Sequence, residues 1–186
     1  MPQLTQPFSL IANAVRGHEM RIGSDTPGTQ ALRTGRVSLP GWTYMLTFCT
    51  YERRPVLTSG AVPDAVAAVL AEIGARDDTD IDAFVIMPDH LHLLCKIRGE
   101  QELSAAVRRI KSLLARAINA ARDTSGSVWQ RGYYDRAVRC VREYGELARY
   151  IWENPVRAGL VKRPEEYPWS SQNVKGVAGK PAPTSD

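Results

Sequence analysis

A chain of 186 residues, 44% of them hydrophobic, holds one domain core with room for tails. No stretch approaches the apolar run of about twenty residues that a membrane-spanning helix needs. The net charge of +4 and pI of about 9.1 admit a polyanionic partner without demanding one. The three cysteines, Cys49, Cys95 and Cys140, sit singly in separate apolar, strand-like segments. Their spacing fits neither a zinc cassette nor a disulfide framework, so they read as small core residues of a reducing compartment. No basic cluster followed by an apolar stretch opens the chain. No secretion signal is therefore expected, and the cytoplasm is the default location.

Residues 1–38 show no sustained periodicity and are expected to form a flexible arm; His18 in that arm is not counted as a ligand. Pro40-Gly41 turns the chain into a first strand, Trp42 to Tyr51, marked by aromatic and β-branched residues. A helix follows over 61–75, with Val62, Val66, Val69, Leu70 and Ile73 at helical spacing and Pro63 in the first turn. Ile81 to Met87 reads as a second strand, Pro88-Asp89 as a tight connection, and His90 to Ile97 as a third strand, so that the two form a hairpin. The next helix, 102–122, is strongly amphipathic: Leu103, Val107, Ile110, Leu114 and Ile118 share one stripe, and arginines and lysines occupy the rest. A fourth strand is expected over 133–140, then a last helix from Arg142 to Glu153 that Pro155 stops. The segment ending Tyr167-Pro168-Trp169-Ser170-Ser171 packs back as turns, and 173–186 is expected to be a disordered tail. This order of elements predicts an α+β fold of ferredoxin-like (RRM-like) type over 39–172. It is an antiparallel sheet with two helices on one face and an extra C-terminal helix covering the other.

The stretch Met87-Pro88-Asp89-His90-Leu91-His92 places two of the chain's three histidines two residues apart in a strand. Their side chains therefore project side by side on one face, an arrangement that suits two neutral imidazoles on one divalent metal. Two ordinary half-buried histidines would look the same. Cys95 has the opposite parity, which argues against a histidine–cysteine zinc site. In the last helix Tyr150 and Asn154 are four residues apart and share an edge. An amide oxygen there can complete a metal's ligands, with the Glu153 carboxylate as the rival, and a phenol beside that metal can act as a nucleophile towards phosphorus. A tyrosine near a helix end that simply packs is the alternative; its joint presence with the histidine pair favours chemistry.

The motifs Met87 to His92, Trp129-Gln130-Arg131-Gly132-Tyr133-Tyr134-Asp135 and Tyr150-Ile151-Trp152-Glu153-Asn154-Pro155-Val156-Arg157-Ala158-Gly159 resemble those of the single-tyrosine HUH transposases. Within that group the similarity is to the REP-associated tyrosine transposases, and it runs from about Pro40 to Ser171. The resemblance implies a Mg²⁺- or Mn²⁺-dependent endonuclease and strand transferase acting on single-stranded, hairpin-forming repeat DNA, working as a monomer or homodimer away from any membrane. It implies that Tyr150 is the nucleophile, that His90, His92 and Asn154 hold the metal, and that the product is a 5′-phosphotyrosine link. Relatives often carry a histidine where Arg136 stands, and the arm before Pro40 exceeds what the family needs.

A solvated face is the plain reading of a basic helix, but beside such chemistry Arg108, Arg109, Lys111 and Ser112 become candidate contacts to a hairpin backbone. Arg53, Arg54 and Arg131 are further candidates, and Trp129 a candidate for stacking on an unpaired base. Two other readings stay open. One is a replication-initiator-type nickase, which substrate mapping would separate. The other is a non-catalytic nucleic-acid-binding regulator, which would bind without metal and form no covalent adduct.

Overall fold

The computed structural model describes residues 41–76 and 78–174; the expected arm with His18, and the tail beyond 174, lie outside the described residues. Strand β1 (Thr43–Cys49) is followed by a short turn (Tyr51–Arg53), helix α1 (Val62–Arg76), and strands β2 (Thr79–Ile86) and β3 (His90–Ile97). Helix α2 (Leu103–Arg122), strand β4 (Tyr134–Ala137) and helix α3 (Val141–Arg157) complete the set, with a short turn at Pro164–Glu166. The sheet is four-stranded in the order β2-β3-β1-β4, with every neighbouring pair antiparallel. This is the ferredoxin-like arrangement expected from the order of elements.

Alternation along the strands sorts the side chains into two layers. Leu46 and Phe48 of β1, Phe84 and Ile86 of β2, and Leu91, Leu93 and Cys95 of β3 pack with Val66, Leu70 and Ile73 of α1 and Val107, Ile110 and Leu114 of α2. Each such burial contributes roughly 1.5–3 kcal/mol, and together they fix the register. His90 and His92 have the other parity and face the opposite side, where α3 packs against β2 and β3. Leu147, Ala148 and Ile151 of that helix are buried there.

Three polar ties hold α3 in place. A bulge in β2 shifts the register between Ile81 and Ala83 and leaves Asp82 buried, hydrogen-bonded to Tyr144 of α3. At the other sheet edge Arg136 of β4 grips the Glu143 carboxylate, with Nε at 2.9 Å. Beyond the helix the chain returns to β2: Ile86 N–H donates to Trp169 O and Ser171 N–H to Phe84 O, both at 2.9 Å. Ser171 Oγ then accepts the Phe84 N–H at 3.1 Å and the Trp152 indole N–H at 2.9 Å. The segment expected to pack as turns thus also closes the outer edge of β2.

Four expectations about local structure need correction. Helix α3 does not stop before Pro155 but runs through it to Arg157. Proline there removes a single helical hydrogen bond close to the end, and the helix closes two residues later in a Schellman turn. In that turn Gly159 N–H donates to Val156 O at 3.0 Å, Leu160 N–H donates to Pro155 O at 2.9 Å, and Gly159 takes φ +71°. Strand β1 ends at Cys49 rather than Tyr51, because Glu52 and Arg53 both adopt left-handed backbone (φ 54° and 55°). Strand β4 is four residues long rather than reaching residue 140, since the Arg139 N–H turns to the Glu143 carboxylate at 2.7 Å. Cys140 is consequently exposed at the start of α3 instead of buried in a strand; Cys49 and Cys95 are buried as expected.

Candidate active site

The site lies where the start of β3 meets the last turns of α3. The ring centroids of His90 and His92 are 4.7 Å apart, with the planes nearly perpendicular at 81°. The Tyr150 ring meets His92 edge-on at 5.9 Å. All three groups come from one chain, and Tyr150, His92 and Asn154 are buried, at 7%, 4% and 9% exposure. Because α3 continues through Pro155, Asn154 sits in regular helix one turn beyond Tyr150, on the same buried face.

Each imidazole is held from behind. Asp89 Oδ1 lies 2.6 Å from His90 Nδ1, and the His90 hydrogen bond, assisted by the charges of His90 and Arg53, keeps the Asp89 carboxyl below its ordinary range. An ionised carboxylate only accepts, so Nδ1 carries a proton and Nε2 is the ring nitrogen left to face a ligand. Thr47 Oγ1 lies 2.8 Å from His92 Nδ1. Burial, with the charges of His90 and Arg53, pushes His92 well below the ordinary histidine range, so this ring is neutral and able to ligate. Among the described residues no group of three His, Cys, Asp or Glu side chains is placed to hold a metal. A cation on the histidine pair would therefore take its remaining ligands from an amide, the substrate or water. Asn154 is the buried amide on the Tyr150 face; the Glu153 carboxylate is instead paired with Arg157 at 3.0 Å.

Sequence pattern missed three neighbours of the site. Strand register places Thr47 opposite both His92 and Tyr134, so Val85, His92, Thr47 and Tyr134 form one row across the sheet. Burial, then Cys49, raises the Tyr134 phenol above its ordinary pKa, with Arg53 opposing. Arg157, expected only as part of a motif, lays its guanidinium 5.3 Å from the centre of the Tyr150 ring. A two-turn spacing could have suggested Arg157, since it follows Tyr150 by seven residues on the helix. Tyr134 depends on pairing between distant strands.

The basic candidates separate. Arg108, Arg109 and Ser112 are exposed on α2, in the helical layer on the far side of the sheet from the histidines, and Arg131 is exposed beside β4. Lys111 is not available in the way expected. Its amine donates to the carbonyls of Gln130 and Gly132 at 2.8 and 2.7 Å and lies over the Phe48 ring at 5.8 Å. Trp129 is likewise a core residue, 9% exposed, edge-on to Phe48 at 6.0 Å, with its indole N–H on Lys111 O at 3.0 Å. The expected stacking role gives way to packing. Lys111 and Trp129 together fasten the 128–132 segment, which continues along the β1 edge through Gln130 N–H on Cys49 O at 2.9 Å. Arg54 turns to Glu52 and the exposed Tyr51 ring, at 5.5 Å. Arg53 alone of the basic candidates is directed at the site, with Nη1 3.2 Å from Asp89 Oδ2.

No described helix is long and apolar enough to cross a membrane. The chain is similar to the REP-associated tyrosine transposase of Escherichia coli, 29% identical over 93 residues that cover 50% of this chain and 53% of that protein. It is also similar to an ISDra2 transposase of Deinococcus radiodurans, 28% identical over 108 residues, 55% of this chain and 76% of that one. It spans about half the length of the Escherichia coli relative. A solved REP-associated tyrosine transposase bound to a REP hairpin superposes with a TM-score of 0.62 at 25% identity, covering 73% of this chain and 79% of that one. Residues 38–154, more than half of the chain, match the family described as Transposase IS200 like. The motifs, the sheet order and these similarities agree: this chain belongs to the IS200-like transposases.

Proposed function

We propose that this protein is a metal-dependent endonuclease and strand transferase that nicks and rejoins single-stranded, hairpin-forming repeat DNA, with Tyr150 as the nucleophile. The observation that carries the reading is the meeting of the Tyr150 ring with the histidine pair within one chain, 5.9 Å between the Tyr150 and His92 ring centres. His90 and His92 would hold Mg²⁺ or Mn²⁺ through Nε2, their Nδ1 atoms being engaged by Asp89 and Thr47, a pattern of outer support common to histidine metal ligands. Asn154 is the proposed third protein ligand. The pairing of Glu153 with Arg157 supports it over the carboxylate. A bound cation would draw charge from the phosphate oxygens and so lower the barrier to attack.

The protein's own part is placement. Burial against His92 restricts the Tyr150 ring, and fixing the reacting groups in this way removes much of the entropic cost of attack. The phenolic oxygen bonds to phosphorus while the bond from phosphorus to the 3′-oxygen breaks. The phenol gives up its proton and the departing oxygen takes one up, leaving a 5′-phosphotyrosine and a free 3′-hydroxyl. The reverse attack by a 3′-hydroxyl rejoins DNA without an external energy source, because one phosphate ester replaces another. The hairpin bound by the solved relative supports folded single-stranded DNA as the substrate class.

The test is incubation of labelled single-stranded hairpin DNA with the protein and Mg²⁺ or Mn²⁺, followed by denaturing electrophoresis. A covalent protein–DNA species is expected that disappears in Tyr150→Phe, in His90→Ala and on chelation of the metal. An adduct persisting in Tyr150→Phe would move the nucleophile elsewhere. Binding without any adduct, with or without metal, would make the protein a non-catalytic regulator.

A further inference from the structure

Arg53 occupies an unusual stretch of backbone for a surface arginine. It and Glu52 are consecutive non-glycine residues in left-handed conformation, which L side chains disfavour. Such a conformation persists only where its surroundings over-determine it, and here they do. Thr50 donates its N–H to Asp89 O at 2.9 Å, Arg53 N–H donates to Thr50 O at 3.1 Å, and Leu57 N–H donates to Pro88 O at 2.9 Å. The Thr50 hydroxyl bridges Arg54 O at 2.8 Å and Asp89 O at 3.0 Å. The backbone around Arg53 and that around Asp89 are thus stitched together through Thr50 and Leu57, which keeps the two side chains within reach of each other. Arg53 Nη1 then holds Asp89 Oδ2 at 3.2 Å while Asp89 Oδ1 holds His90 Nδ1 at 2.6 Å. Neighbouring Arg54 pairs with Glu52 instead.

We propose that Arg53 is a positioning residue of the metal site: it fixes the Asp89 carboxylate that orients the His90 ring, and so sets affinity for a divalent cation rather than for DNA. This rests on the proposed metal role of the histidine pair. Two effects of the guanidinium oppose each other. Its positive charge repels a cation, but it is half-exposed, where water and salt screen that repulsion. Its hold on Asp89 acts through direct contacts and is not screened in the same way, so orientation outweighs repulsion. Because Arg53 makes this contact through one nitrogen, lysine can reproduce it in part.

The experiment titrates the full chain with Mn²⁺ in the absence of DNA, by calorimetry or by the electron paramagnetic resonance signal of free Mn²⁺. Wild type is compared with Arg53→Gln, Arg53→Lys, Asp89→Asn and the double variant, with urea midpoints as a check on folding. Arg53→Gln is expected to weaken Mn²⁺ binding about tenfold, the scale of losing outer support to a ligand, and Arg53→Lys to recover part of that loss. Adding Arg53→Gln to Asp89→Asn should weaken binding no further, since the two act in one chain of contacts. The salt dependence of hairpin binding without metal should stay as in wild type. Unchanged or tighter Mn²⁺ binding in Arg53→Gln would overturn the proposal, and a shallower salt slope alongside it would make Arg53 a phosphate contact. If wild type and His92→Ala alike bound no Mn²⁺, the metal reading itself would fall and this proposal with it.

Discussion

Replacing Lys111 by methionine separates two roles for a basic residue on α2. A phosphate-contacting lysine would be tolerated by the fold and missed by the DNA. In the structure, however, the Lys111 amine holds the Gln130 and Gly132 carbonyls and lies over Phe48, so it closes the loop between α2 and β4. A hydrogen bond from a charged donor is worth roughly 1.5–3 kcal/mol net, and a cation over an aromatic ring about 0.5–1 kcal/mol. The site is only part-buried, and methionine keeps the apolar stem, so the sum is discounted to about 2–3 kcal/mol. Urea unfolding followed by tryptophan fluorescence should show a lower midpoint with an unchanged slope. Exposed Arg108 is the control: Arg108→Gln should leave stability within about 0.5 kcal/mol. Salt titration of hairpin binding provides the second reading, in which each lost phosphate contact reduces the slope by about 0.7–0.9. Lys111→Met with native stability and a slope reduced by that amount would refute the staple and restore the phosphate contact.

Ser171→Ala removes the acceptor shared by the buried Phe84 N–H and the Trp152 indole; a loss of about 2–3 kcal/mol is expected, and a thermal midpoint equal to wild type would show that the return segment does not hold α3. Gly159→Ala should cost about 1 kcal/mol through backbone alone, because Gly159 has φ +71° and a Cβ there would meet nothing within 4 Å; the urea midpoint checks it. The metal-free protein should also lose stability as pH falls. His92 is depressed by burial, then by His90 and Arg53, well below 6.5, so below that pH the unfolded chain takes up a proton that the folded chain refuses. The loss is at most about 1.4 kcal/mol per pH unit from this group. Asp89, lowered chiefly by its bond to His90, adds a further loss only in acid, as pH falls through its depressed folded value. Urea midpoints from about pH 8 to about pH 5 should fall in wild type and flatten in His92→Leu; parallel curves would contradict the assignment.

Much of this was legible because it is local. The offset of two between His90 and His92 fixes a shared face in any strand, and the same parity argument put Cys95 in the opposite layer. The stripe from Leu103 to Ile118 fixed the buried side of α2. What stayed hidden depends on contacts between distant segments. A basic pattern on α2 cannot reveal that Lys111 meets the carbonyls of a loop formed twenty residues later, nor that Trp129 fills the space beside Phe48. The helix through Pro155 was unreadable from the rule that proline ends helices. That rule counts the missing donor but not the Gly159–Leu160 turn that satisfies the last carbonyls. Tyr134 joined the site through strand register, and Arg53 through a backbone conformation that its side chain gives no reason to expect.

The histidine hairpin lies in the middle of the chain, whereas the phenol and the amide sit on its last helix. A polypeptide growing from its N-terminus contains Thr47, Asp89, His90 and His92 before Val141 to Arg157 has appeared. Even then, the tie from the return segment to β2 and Trp152 waits for Ser171. A product cut short before the last helix would therefore carry the imidazole pair without Tyr150 or Asn154. Under the proposed chemistry, competence to cut arrives with the completed fold.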